Sequence, residues 1–452
     1  MCGISITRRI NAIDKIQHRG IESVQIAEGG WFLGHVRLPI QTEPGDGLAQ
    51  PIELAGNNGW LLYVGEIYNY PTRYSSDVEY LRDLFGAQVP GINCLEDIIC
   101  EANNWDGMWA ICWYRKGQII AFTDPLGKKQ LYYNQFGEIC SEITPLVSDF
   151  RDFDRYYQSE VFKWGYNWDD RTPWNNVKRI MPNTVYSFDD MKVKPTIIRR
   201  DYYRWGIGER SHFAKSKFAE VLRGLVERSV KRRAMYSKVP VGALVSGGLD
   251  SSIVASILHR MGLGVNLYMV ENNESEFGMI LSEFLGVSIT SLGPITDDCL
   301  ERCLRYNETP IDLGSMIPQF RLMEKVKEKV ILTGDGADEL FGGYRRVDDY
   351  DSQLSDVFQE LPFYHMPRLD RASMRSTVEL RSPFLGHDVV RFALRLPRED
   401  RTHKRILKDA FSDVLPQEIL DRPKEPLKCQ SIRQDPMAYR KKCHETFYNL
   451  WQ

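Results

Sequence analysis

Residues 243–252 read ALVSGGLDSS, passing from apolar side chains through two glycines to an acid and two hydroxyls. With the residues before it, VPVGALVS (239–246) is a short buried strand; after it, SSIVASILHRMG (251–262) is a helix that Gly262 ends. A strand that turns into a helix through Gly247 and Gly248 lets the backbone approach an anion closely. The free N–H groups of the helix N-terminus then point at that anion. The segment lacks the Gly-Lys-Ser/Thr close of the Walker loop, so it is a phosphate loop of another kind. A lone Ser-Gly-Gly could be only a tight turn; Asp250, Ser251 and Ser252 make the string far more specific.

Working outward, SKFAEVLRGLVERSVKRRAM (216–235) carries apolar residues at helical spacing, while GVNLYMV (264–270) and KEKVILTG (327–334) are further buried strands. Strand alternating with helix predicts a parallel α/β sheet for this half. Upstream the pattern is β: WFLGHVRLPI (31–40), GWLLYVGEIYNY (59–70), GMWAICWYRKGQIIAFTD (107–124) and KQLYYNQFGEICSE (129–142) are aromatic and β-branched runs cut by turn residues. One helix is expected there from about Ser76, ending before Gly86. Between the halves, IRRDYYRWGIGERSHF mixes charge, aromatics and glycine without a period. The reading is therefore a first domain over 1–197, a linker over 198–213 and a second domain over 214–452.

The 452 residues suit two or three domains, and a hydrophobic content of 43% with 12% aromatics is ample for their cores. Lys and Arg number 58 against 61 Asp and Glu, a net charge of −3, so no general attraction to nucleic acid or anionic membrane is expected. The opening MCGISITRRINAIDKIQHRG is too polar for a secretory leader, and no apolar run approaches a membrane span. The nine cysteines are odd in number and scattered, with no CxxC pair, which speaks against a disulfide framework or zinc ribbon and for a reducing, cytoplasmic setting. Cys299 and Cys303, four apart with no histidine beside them, read as buried thiols. Cys2 stands apart. Removal of Met1 would leave a thiol and a free α-amino group on one residue, with ordinary pKa values near ~8.5 and ~8, so the amine could serve as base to its own side chain.

A Met-Cys-Gly start joined to SGGLDSS resembles the glutamine-hydrolysing asparagine synthetases. The similarity runs in order through HRG (18–20), GHVRLPI (34–40), AQPI (49–52), GEIYNY (65–70), SSDVE (75–79), DPLGKKQLYY (124–133) and SEITPL (141–146). It continues through GDGADELFGGY (334–344), VELRSPFL (378–385), HKRILKDAF (403–411) and RPKE (422–425). The resemblance implies an N-terminal-nucleophile glutaminase, an αββα sandwich, followed by an α/β parallel-sheet ATP pyrophosphatase domain of the adenine nucleotide α-hydrolase type. It implies that Cys2 attacks glutamine, that Arg37 and Asp77 hold its α-carboxylate and α-ammonium, and that Gly65 and Glu66 floor the pocket. Ser246, Gly247, Gly248, Asp250, Ser251 and Ser252 would cradle pyrophosphate, with Leu244, Met269, Val270, Gly334 and Tyr344 around the nucleotide. Asp250 and Asp338 would hold Mg²⁺, Lys404 would meet charge on the α-phosphate, and Asp335 would stand as a base or substrate contact. The substrates implied are glutamine, ATP and a carboxylic acid, aspartate foremost, with ammonia attacking an acyl-adenylate; a homodimer is left open.

Three departures bear on this. Val64 stands where the family has an Asn that supports the oxyanion. Asp335 stands where it has Glu. The segments YMVENNESEFGMILSEF and RPKE to the end are short. Two alternatives therefore stay in view: an amide synthetase for another small acid, and a nucleotide-binding protein with degraded catalysis.

Overall fold

The computed structural model describes residues 2–41, 49–189, 194–205, 211–271, 275–293, 299–311, 313–344, 358–422 and 435–452. The first half is built on two six-stranded antiparallel sheets. One contains Gly3–Thr7 (β1), Glu22–Glu28 (β2), Trp31–Arg37 (β3), Tyr132–Asn134 (β8), Ile139–Cys140 (β9) and Val177–Arg179 (β10), in the order β10-β8-β9-β1-β3-β2. The other contains Ile52–Glu53 (β4), Trp60–Ile67 (β5), Gly107–Arg115 (β6), Gln118–Thr123 (β7), Thr184–Asp189 (β11) and Thr196–Arg200 (β12), in the order β12-β11-β7-β6-β5-β4.

Alternation along the strands builds the layers. From β1, Ile4 and Ile6 face Leu62 and Val64 of β5 and Ala110 and Cys112 of β6 in the core between the sheets. The opposite faces of β5 and β6 send Leu61, Tyr63, Trp109 and Ile111 outward to helices Asp77–Phe85 and Leu95–Ala102. The first helix starts as expected, Ser76 accepting the Glu79 amide as its N-cap. Beyond the other sheet lie the 3₁₀ segment Ile10–Arg19 and helices from the second half, Leu313–Met323, His365–Met374 and Pro436–Leu450, whose Met316, Ala372 and Phe447 bury against Ile13, Val36 and Cys140. The sandwich thus borrows part of one helical layer from the other half.

The second half is a five-stranded sheet in which each paired neighbour runs parallel: Val241–Leu244 (β13), Leu267–Val270 (β14), Ile289–Leu292 (β15), Val330–Leu332 (β16) and Glu379–Arg381 (β17), ordered β15-β14-β13-β16-β17. The chain winds outward from β13 first one way and then the other. That switch opens a crevice at the carboxyl ends of β13 and β16, where sheets of this kind bind ligands.

The segment read as a linker from 198 behaves differently at its start. Residues up to Arg200 complete β12, and Tyr202 and Tyr203 are buried in the first half's core. Tyr202 donates its hydroxyl to the Thr123 carbonyl at 2.7 Å and accepts from Trp109 Nε1 at 3.1 Å. β12 is an edge strand with mostly exposed side chains, so it carries no alternation to betray it. Residues 206–210 of that segment lie outside the described residues. Cys299 and Cys303 are buried thiols, and the described cysteines are free.

Candidate active sites

The loop between β13 and helix Leu249–Arg260 occupies the crevice at the switch point. Gly247 has φ +68°, and a Cβ there would stand 2.5 Å from Phe277 Cβ and 2.6 Å from the Gly278 amide, so only glycine fits. Ser251 Oγ accepts the Ser246 amide at 3.1 Å and donates to the Gly248 carbonyl at 3.2 Å, while Ser246 Oγ accepts the Gly248 amide at 3.3 Å. Ser252 is fully buried beneath them. Leu244 closes β13, and Met269 and Val270 end the neighbouring β14, both buried; the Met269 thioether lies against Gly278 of helix Ser275–Leu285 rather than open to the crevice.

Three charged groups predicted for this site meet. Lys404 Nζ pairs with Asp250 Oδ2, and lies 2.5 Å from Asp338 Oδ1. Asp250 comes from the first turn of the helix after the loop, Asp338 from helix Ala337–Phe341 and Lys404 from the turn before helix Arg405–Phe411. That turn is strained: His403 and Lys404 both have positive φ, 53° and 57°, which non-glycine residues rarely adopt and which costs of order ~1–3 kcal/mol each. Gly334, between β16 and helix Ala337–Phe341, packs onto the start of helix Leu249–Arg260, where a Cβ would stand 2.7 Å from the Ser251 amide. Beside it Asp335 pairs with Arg368 Nη2 at 3.0 Å. Tyr344 donates to Glu339 Oε1 at 2.6 Å, and burial, reinforced by neighbouring Asp338, lifts the Glu339 carboxyl to about 7. Among the described residues no group of three or more metal-ligating side chains occurs. Two converging carboxylates at a phosphate loop still suit Mg²⁺, which takes one or two carboxylates and completes its shell with phosphate oxygens and water.

In the other half, Cys2 is half-buried at the head of β1, beside the core that contains Val64. Burial raises its thiol, and the charge of the amino terminus and a hydrogen bond from the Leu38 amide reduce that rise without cancelling it. Val36 of β3 pairs with Gly3, so the same register sets Arg37 across from Cys2; Arg37 Nη1 pairs with Glu22 Oε2 at 3.1 Å. Gly65 has φ +141°, and a Cβ there would meet the Met108 carbonyl at 2.0 Å. Glu66 is buried, accepts from Gln41 Nε2 and lies 3.4 Å from Arg381 Nη2; burial still pushes its carboxyl well above the usual range. Asp77 Oδ2 accepts the Tyr63 hydroxyl at 2.8 Å and the Ile67 amide at 3.0 Å, and burial raises its carboxyl to about 6.

Some contributors carry no assigned role in the sequence reading. Arg422 donates to the Ser246 carbonyl at 2.7 Å with its guanidinium over the Phe277 ring, so it braces the loop. It opens RPKE, a segment legible as a motif but silent about which atom it touches; residues 423–425 lie outside the described residues. Arg368 had no signal at all.

Comparison with known proteins matches each half of the chain to a family. The asparagine synthase family matches residues 221–365 and 350–446, and the glutamine amidotransferase domain matches residues 1–203. Asparagine synthetase (glutamine-hydrolyzing) 1 of Arabidopsis thaliana is 26% identical, covering 94% of this chain and 77% of its own. Asparagine synthetase (glutamine-hydrolyzing) of Triphysaria versicolor is 27% identical with coverages of 94% and 77%. A solved structure described as the allosteric regulatory enzyme of purine biosynthesis is 15% identical with a TM-score of 0.33, covering 66% of this chain and 82% of its own, a weak likeness.

Proposed function

The chain belongs to the asparagine synthase family, and on that footing we propose that it is a glutamine-dependent amide ligase that forms an acyl-adenylate from ATP and a small carboxylic acid. The observation that carries this is the meeting of Lys404, Asp250 and Asp338 at the SGG loop in a chain that also places Cys2 at the head of β1.

In the first half, with Met1 removed, Cys2 Sγ attacks the glutamine amide carbon, and its proton passes to the residue's own α-amine. Collapse to a thioester releases ammonia, and water hydrolyses the thioester to glutamate. Arg37, opposite Cys2, holds the α-carboxylate and Asp77 the α-ammonium.

In the second half, the acceptor carboxylate attacks the α-phosphorus and pyrophosphate departs into the loop amides and serine hydroxyls. Lys404 meets the charge that grows at the α-phosphate. Asp250 and Asp338 would hold Mg²⁺, which neutralises the leaving pyrophosphate when bound. Ammonia then attacks the acyl carbon and AMP leaves. The Asp335–Arg368 pair beside the loop sets a carboxylate next to a guanidinium, complementary to the ammonium and carboxylate of an amino acid, which supports aspartate as the acceptor.

Cys2→Ala tests the assignment of the two halves. Glutamine-supported turnover is expected to vanish while ammonia-supported turnover stays close to the parent's, read as amide formed per enzyme with each nitrogen source. Glutamate released from glutamine by the variant at the parent's rate would remove Cys2 from the mechanism.

A further inference from the structure

Two motif residues, Arg19 of HRG and Lys129 of GKK, are almost completely buried and converge on a residue of the other half. Arg19 Nη2 pairs with Asp370 Oδ2 at 2.9 Å, and Lys129 Nζ pairs with Asp370 Oδ1 at 3.0 Å. Asp370 lies on helix His365–Met374, which packs onto the outer face of the first half's sheet. The remaining edge of Arg19 reaches the nucleophile: its Nε donates to the Cys2 carbonyl at 3.0 Å, and its Nη1 donates to Glu142 Oε1 at 3.1 Å. A guanidinium held through each of its three nitrogens by a fixed acceptor has a single orientation, and that orientation fixes the Cys2 backbone.

We propose that Asp370, a residue of the ATP-binding half, is a positioning residue for the glutaminase: it orients Arg19, and through it the Cys2 carbonyl and the direction of the Cys2 thiol. The inference rests on Cys2 being the glutamine nucleophile. The first half contributes two cations to this junction, and the second half supplies the carboxylate that locks them. The same helix presents Arg368 to Asp335 beside the phosphate loop, so one rigid element touches both reaction centres. Asp370 acts through Arg19 and is not itself catalytic.

The test uses the full chain and the isosteric change Asp370→Asn, which keeps shape and removes the charge. Glutamate release from glutamine alone is followed, together with amide formation from ammonia. The kcat for glutamine hydrolysis is expected to fall by about 10- to 100-fold, the cost of misplacing a reacting group by roughly an ångström. Its KM and the ammonia-supported rate should stay within about twofold of the parent's values. Because Asp370 acts through Arg19, adding Arg19→Lys to Asp370→Asn should cost less than the product of the two single effects. If the Asn variant does not fold, Asp370→Glu, which retains the charge but shifts it by one methylene, is read in the same way. A glutamine kcat equal to the parent's, an equal fall in both activities, or strictly multiplicative effects in the double variant would overturn the inference. A parent that releases no glutamate at all would overturn the role of Cys2 itself, and this inference with it, whereas an active parent matched by its variant overturns the inference alone.

Discussion

Lys404 shows at the scale of one residue how a site declares itself through what the backbone tolerates. Two consecutive non-glycine residues at positive φ are held because Lys404 lies between two carboxylates. The sequence could name Lys404, Asp250 and Asp338 through their motifs; it could not say that Arg368 faces Asp335 or that Arg422 braces Ser246, because those partners are distant along the chain. Asp77 yields a pH prediction. Its carboxyl, raised by burial from 3.8 to about 6, keeps its proton in the folded state where an unfolded chain would have lost it, so its contribution to stability declines as pH rises through that window. Below about 6 it is neutral and offers no charge to an ammonium. KM for glutamine should therefore climb as pH falls from 7 to 5, separately from the loss of kcat that follows as the Cys2 amine takes up its proton; a flat KM across that range would remove Asp77 from substrate binding. Val64 is 1% exposed in the core beside Cys2. Val64→Asn is expected to lower thermal stability by about 1–3 kcal/mol if its amide finds no partner, yet to raise glutamine hydrolysis by up to ~10², the scale of one oxyanion donor. Stability lost with no gain in rate would show that another group already fills that role.

The strand–loop–helix from β13 through Leu249–Arg260 is the element on which the second half turns, and it was legible because three local signals agree: a short apolar run, paired glycines, then apolar residues at helical spacing. Gly247→Ala must accept both a left-handed backbone, at about 1–2 kcal/mol, and contact with Phe277 and the Gly278 backbone. The loop should re-form with its amides misdirected, so ATP-dependent turnover should be lost while glutamine hydrolysis in the other half persists. Parent-like turnover in the variant would mean the loop amides do not hold phosphate. β12 escaped the sequence reading for the opposite reason, since a mostly exposed edge strand of Thr, Ile and Arg lacks both alternation and a buried run.

Over the whole molecule, sequence periodicity separates a β half from an α/β half but says nothing of how they join. Helices of the second half cover a sheet of the first, and buried ion pairs such as Asp106 with Arg233, 2.9 Å apart, cross the junction. Such contacts are non-local and leave no spacing signature. Breaking one by removing a single partner strands a buried charge, at a cost of about 3–5 kcal/mol. The central claim for this assembly is that ATP is split between its α and β phosphates. The direct measurement is to incubate the full chain with ATP, Mg²⁺, glutamine and aspartate and to quantify every nucleotide and phosphate product. One AMP and one pyrophosphate per amide formed, with turnover collapsing in Lys404→Ala while ATP still binds, is the expected result. ADP and inorganic phosphate in their place would contradict the account.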